Sequence, residues 1–332
     1  MLDLLSLDFM QRALLAALVT GFAAPAVGTY LVQRRLALMG DGIGHVAVTG
    51  VALGLLTGTS PTWTAVAVAI LGAVLIEVIR ERGHTNGDVA LALLFYGGIA
   101  GGVLLIGVAG ESAARLQGYL FGSLLSLGWD DVAVTVALSV VVSVLAIGLL
   151  PQLFAVCQDQ EFARVAGLHV RFYTILVAVL SAVTVTVAMR TVGLLLVSAL
   201  MVVPVATAQQ VTRSFRTTLG ASMGLGTLAS VGGLLLAASL PAQTNVTPGP
   251  TIVVLALGGF VLTWPLGAWL RRRQRLRSPF PAVPAPDHTP AEDHPHVHGE
   301  KCGHRAVVHE DHVDYVHGGE RHAVHGGHYD EH

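Results

Sequence analysis

Asp41 and His45 stand four residues apart at the mouth of an apolar run, in the stretch Arg34-Arg35-Leu36-Ala37-Leu38-Met39-Gly40-Asp41-Gly42-Ile43-Gly44-His45. Four residues is about one helical turn, so on a helix the carboxylate and the imidazole share a face. That donor pair suits a borderline-soft divalent cation such as zinc or manganese, whereas thiol or thioether would be expected for copper(I). An ionisable pair entering a membrane segment is costly and by default marks the route of an ion or a proton. The competing structural reading has Asp41 capping the helix and His45 bonded to a neighbouring helix.

A second set of metal-ligating residues lies near the carboxy terminus. His294, His296 and His298, then Cys302 and His304, then His309 and His312 offer imidazole and thiolate groups that a flexible chain can wrap around zinc, nickel or copper. Residues 278–332 hold twelve of the fifteen histidines, and ten acids against three bases. With a proline-rich start and few apolar residues, this tail cannot bury a core and is expected to be disordered. His309-Glu310-Asp311-His312 is one residue short of the His-Glu-x-x-His helix of a zinc protease. An intramembrane metalloprotease is therefore not indicated.

The elements that must position Asp41 and His45 follow from composition. Of 332 residues, 53% are hydrophobic and 12% charged, where soluble domains carry about a quarter charged. The sequence thus describes an all-α, polytopic integral membrane bundle over residues 1–277, followed by the tail at 278–332. Apolar runs of spanning length fall near 10–31, 43–58, 62–79, 89–109, 132–150, 172–189, 192–211, 218–240 and 251–270. Because the second is short and Pro204 interrupts 192–211, eight competes with nine. Arginines cluster on alternate connections, at 34–35, 80–82, 164–171, 213–216 and 271–277, which makes those connections and the carboxy terminus cytoplasmic. The single lysine, Lys301, precedes Cys302, so the chain has no Gly-Lys-Ser/Thr nucleotide loop. Cys157 and Cys302 imply no disulfide framework.

Within the longest cytoplasmic connection, Asp159 to Leu168, charged residues alternate with Phe162, Val165 and Leu168 at helical spacing. A short amphipathic helix ending at Gly167 is expected, lying on the bilayer surface or docked in a partner's groove. Leu116–Leu125 is too short to span and reads as a re-entrant or interfacial helix. The glycines at 97, 98, 101 and 102 read as packing contacts. Glu77, Arg80, Glu81 and Arg82 read as a solvated cluster at a helix end.

Five stretches then resemble a known family: RRLALMGDGIGHVAVTGVALG at 34–54, LQGYLFGSLL at 116–125, QDQEFARVAGL at 158–168, MRTVGLLLVSALMVVPVATA at 189–208 and TPGPTIVV at 247–254. In that order they resemble the membrane permease subunit of bacterial zinc/manganese-type ABC importers, the zinc-uptake permeases most closely. The resemblance implies a multi-pass protein of the bacterial plasma membrane that pairs with a second permease copy. It implies two cytoplasmic ABC ATPase subunits and an extracytoplasmic metal-binding protein as partners, with no bound cofactor, no nucleic acid, and zinc as the transported substrate. It also implies that Asp159, Glu161, Phe162, Ala163 and Gly167 belong to a coupling helix for the ATPase, and that Asp41 and His45 line the metal path. One departure stands out: the third and fourth spans offer only Glu77 and Asp88 where such permeases often carry further polar residues or histidines. A carrier driven by an ion gradient is the alternative class; it would want buried acids in several spans.

Overall fold

The computed structural model describes residues 7–81, 87–110, 118, 122, 127–240, 246–277, 297–299, 302–309, 312–317, 320–325 and 328–331. Eleven helices occur among them: α1 Asp8–Gln33, α2 Met39–Thr57, α3 Pro61–Glu81, α4 Gly87–Val108, α5 Trp129–Gly148, α6 Leu150–Gln158, α7 Gln160–Val165, α8 Val170–Thr191, α9 Leu194–Val211, α10 Phe215–Ser239 and α11 Pro248–Arg277. Eight are long and apolar enough to cross a membrane, and α9 supplies a shorter apolar helix over Leu196–Val211. The expected ambiguity between eight and nine spans thus falls on the helix that carries Pro204. The chain divides into two compact units, Met1–Arg271 and Arg272–His332.

In the first unit α1 is the central post, packed against α5, α8, α9 and α10. Its buried face is built of small residues, Ala13, Ala16, Ala17, Gly21 and Ala24 among them, which lets neighbouring backbones approach where lipid supplies no hydrophobic drive. Polar side chains on these helices are tied locally and across. Thr29 donates to the Pro25 carbonyl at 2.8 Å and meets Ser222 of α10 at 3.1 Å, while Tyr30 donates to the Ala146 carbonyl of α5. Each bond meets a backbone or hydroxyl group that hydrocarbon could not solvate.

Arg35 closes α1 in the left-handed region, at φ 58°, uncommon for a residue with a Cβ. Leu36 N donates to the Leu31 carbonyl at 2.8 Å and Arg35 N to the Val32 carbonyl at 3.0 Å, a Schellman closure. The turn sends Arg34 toward α3, where its guanidinium donates to Glu77 at 2.9 Å; Arg80 donates to the other carboxylate oxygen, also at 2.9 Å. This corrects the reading of Glu77 as part of a solvated cluster, because Glu77 is only 5% exposed. Glu81, by contrast, is half-exposed and pairs with Arg171 of α8 at 3.1 Å. Arg82 lies outside the described residues.

The stretch after α5 is helical rather than a loop, broken at Asp159. The Asp159 side chain accepts from the backbone N–H groups of Glu161 and Phe162 at 2.9 and 3.0 Å, capping α7. Leu168 N donates to the Ala163 carbonyl at 3.0 Å as Gly167 turns out at φ 82°, the termination expected there. Of the Leu116–Leu125 stretch only Gly118 and Gly122 are described, so the re-entrant helix expected there lies outside the described residues.

In the second unit the strands β1 Arg305–His309, β2 His312–His317, β3 Glu320–His325 and β4 His328–Glu331 form an antiparallel meander in the order β1-β2-β3-β4. Ala323 is the one buried hydrophobic residue among those described there. The expected want of an apolar core therefore coexists with backbone pairing that short alternating stretches such as Val307-Val308 and Val313-Asp314-Tyr315 support. Residues 278–296, the proline-rich start of the tail, lie outside the described residues.

Candidate functional site

Asp41 does not cap α2. The helix begins at Met39 behind Leu38, which provides no side-chain cap, and Asp41 sits within the first turn. Its carboxylate accepts a hydrogen bond from Ser198 Oγ of α9 at 3.2 Å. One turn on, His45 Nε2 lies 3.9 Å from the same oxygen, with the His45 side chain 8% exposed and that of Asp41 28% exposed. The helical spacing has thus placed both groups on one face, with the acid toward the accessible end and the imidazole deeper.

Neighbouring helices hold this face from two sides. The His45 ring meets Phe95 of α4 edge-on, centroids 4.3 Å apart at 74°, an arrangement the ring quadrupoles favour. Behind it α2 and α4 touch through backbone. A Cβ added at Gly98 would lie 2.6 Å from the His45 carbonyl carbon, and Thr49 donates to the Gly98 carbonyl at 2.7 Å. Gly98, Gly101 and Gly102 are therefore packing residues, as their spacing suggested, whereas a Cβ at Gly97 would meet nothing within 4 Å. On the other side, Leu194 of α9 and Val185 of α8 fill the space beside Gly44, and Gly193 starts α9 from φ 99°.

Chemically, the face presents a carboxylate oxygen, an imidazole nitrogen and a hydroxyl. A zinc ion with bonds of about 2 Å to two donors at a tetrahedral angle needs them about 3.4 Å apart. The 3.9 Å gap between His45 and Asp41 is within half an ångström of that separation. Two protein ligands and one hydroxyl are too few for a permanent structural site and suit a station that an ion enters and leaves. Ser198 escaped the sequence reading; the signal was a hydroxyl among the apolar residues that open the run Leu194–Val211.

The expected coupling residues lie on and around α7. Ala163 is fully buried, while Phe162 and Val165 are 67% and 87% exposed. Such apolar exposure on a short capped helix has the form that groove docking uses. Beside α7 opens a cavity of about 630 Å³ lined by Arg34, Glu77, Arg80, Glu81, Gln160 and Arg164, among others. Cys157 of α6 lies near this network, and burial pushes its thiol up to about 11, with Arg34 working against the shift and Glu77 adding to it.

Of the tail residues named from sequence, His298, Cys302 and His304 gather within 4.8 Å of one another. His309 and His312 face each other in register where β1 turns into β2, and His294 and His296 lie outside the described residues.

Residues 6–265 match the family described as the ABC 3 transport family. The chain is 32% identical over 270 residues to the manganese import system permease protein ScaB of Streptococcus parasanguinis, covering 81% of this chain and 95% of that one. It is 27% identical over 270 residues to the high-affinity zinc uptake system membrane protein ZnuB of Haemophilus influenzae, covering 81% and 99%. Among solved structures it is similar to PsaBC from Streptococcus pneumoniae in complex with Fab, with a TM-score of 0.73, 32% identity, and coverage of 82% and 98%.

Proposed function

This chain belongs to the ABC 3 transport family, as a multi-pass permease of the zinc/manganese type rather than an enzyme, and from that premise we propose that it carries zinc inward past Asp41 and His45. Work is supplied by ATP hydrolysed on separate cytoplasmic subunits, which engage the exposed apolar face of α7. A second copy of the permease completes the channel, and an extracytoplasmic metal-binding protein delivers the ion. The arginine-rich connections support a cytoplasmic position for α7 and the carboxy terminus.

The observation that carries this reading is the convergence of Asp41, His45 and Ser198 from α2 and α9. Within apolar helices such a group has one economical use, which is to replace part of a cation's hydration shell as it passes. Ser198 orients the carboxylate, Phe95 fixes the imidazole plane, and neutral Nε2 donates its lone pair to the ion. The imidazole favours zinc over manganese, which prefers oxygen donors. Manganese is the second reading, favoured by the names of the relatives at 31–32% identity.

The test is reconstitution of the chain with its ATPase and binding protein, followed by ATP-dependent uptake of zinc and manganese in competition. Asp41→Asn and His45→Ala should abolish uptake while insertion and ATPase binding persist. Normal uptake by both variants would remove Asp41 and His45 from the path, and uptake indifferent to ATP would overturn the reading as a whole.

A further inference from the structure

The second unit contains a group of donors that transport does not use. His298 Nδ1 lies 3.6 Å from Cys302 Sγ, and with His304 the three ligand atoms fall within 4.8 Å of one another. The loop is shaped to gather them. Cys302 N donates to the Gly299 carbonyl at 3.0 Å, and Gly303 turns at φ 79°, a conformation that a side chain would resist. Cys302 and His304, two residues apart, are thereby brought around to His298.

The sheet brings a further imidazole beside His298, outside the group whose ligand atoms lie within 4.8 Å. His298 stacks on Tyr315 of β2 with the rings 3° from parallel and 5.1 Å apart. Tyr315 pairs in register with His322 of β3, which sets His322 on the same side of the sheet. The His298 ring lies 5.1 Å from that of His304 and 5.6 Å from that of His322, near perpendicular to each at 80° and 82°. Two imidazoles bound to one tetrahedral zinc, each ring centre about 3 Å from the metal, stand about 5 Å apart. Both spacings approach that value. His298 and His322 are also the buried members, 7% and 6% exposed, as inner ligands under a covering loop would be.

We propose that His298, Cys302 and His304, with His322 drawn in as the fourth ligand when the ion binds, form a tetrahedral transition-metal site that fastens residues 297–299 and 302–304 onto strands β2 and β3. A three-imidazole, one-thiolate set takes zinc, and cobalt(II) as its spectroscopic stand-in, in preference to manganese. Of the twelve tail histidines, three belong to the site and the others do not. His322 carries no motif spacing with respect to Cys302, so only the pairing of β2 with β3 reveals it.

The full-length permease in detergent, loaded with cobalt(II), should bind one ion per chain with the intense visible bands of a tetrahedral site and a near-ultraviolet thiolate-to-cobalt band. Cys302→Ser should remove the thiolate band and His322→Asn should weaken affinity at least tenfold, while the paired change His309→Asn/His312→Asn leaves both unchanged. Zinc at one equivalent should displace the cobalt, and manganese in large excess should not. A thiolate band that survives Cys302→Ser would overturn the proposal. So would affinity that declines equally with any histidine removed, the behaviour of an unstructured histidine-rich peptide. None of these readouts requires transport, so the site stands or falls apart from the permease reading.

Discussion

Glu77 is the side chain whose removal the first unit should feel most. Its carboxylate is shared by Arg34 and Arg80, each at 2.9 Å, and the Arg34 and Glu77 side chains are 5% and 6% exposed. Among the described residues Arg34 Nη1 is buried without a hydrogen-bond partner, so this guanidinium depends on Glu77 for its neutralisation. In Glu77→Gln the Arg34 charge stays in place with no counter-ion. Breaking a buried pair from one side costs about 3–5 kcal/mol, a factor of roughly 10² to 10⁴ in the folding equilibrium. Arg80 contributes less to this loss, because at 21% exposure it can turn toward water. Unfolding by denaturing detergent in mixed micelles, read by the fluorescence of the four tryptophans, gives the quantity directly. Arg34→Met should cost less than Glu77→Gln, because Arg80 still pairs with the Glu77 carboxylate at 2.9 Å. The double change Arg34→Met/Glu77→Met should recover most of the Glu77→Gln loss, since it removes the buried charge and the Arg80 side chain, 21% exposed, can turn toward water. Single variants that shift stability by less than about 0.5 kcal/mol, the scale of surface substitutions, would refute this account of α1 and α3.

Two further expectations test other parts of the bundle. Gly98→Ala puts a Cβ 2.6 Å from the His45 carbonyl carbon, so α2 and α4 must separate; a stability loss of about 1–3 kcal/mol should follow, with uptake reduced, and an unchanged variant would show that the helices are not in backbone contact. Cys157, its thiol pushed up to about 11 by burial, should be almost entirely protonated at pH 7, with a thiolate fraction on the order of 10⁻⁴ against a few per cent for a free cysteine. In a Cys302→Ser background, maleimide labelling of the native protein should therefore be slow at pH 7 and rise as pH approaches 11, whereas equal rates in native and denatured protein would count against it.

The apolar runs made the membrane helices legible, because hydrocarbon admits few alternatives to a continuous helix. The pairing of Asp41 with His45 was legible for the same reason, as one helical turn leaves little freedom. Ser198 and Phe95 were not. They reach the pair from α9 and α4, more than 150 and about 50 residues away, and nothing in the local sequence encodes which helices will touch. Glu77 misled because an acid near arginines at a helix end usually finds water; it was Arg34, arriving from another helix by way of the Arg35 turn, that allowed its burial. The tail shows the opposite limit. Histidine content announced metal chemistry, but content could not choose among twelve imidazoles, and His322 joins His298 through the pairing of strands.

The two sides of α2 differ in how firmly they are held. Toward α4 the backbones touch at Gly98 and are stitched by Thr49, with no flexible side chain between them to absorb a displacement. Toward α9 the polar link is one hydroxyl on one carboxylate, flanked by the pliable end of Leu194. A load applied to α2 is therefore shared with α4 as one stiff plate, and compliance is concentrated along the seam with α9. That seam is where Asp41 lies, so the bond that must yield for the plate to slide is the one Ser198 makes to its carboxylate.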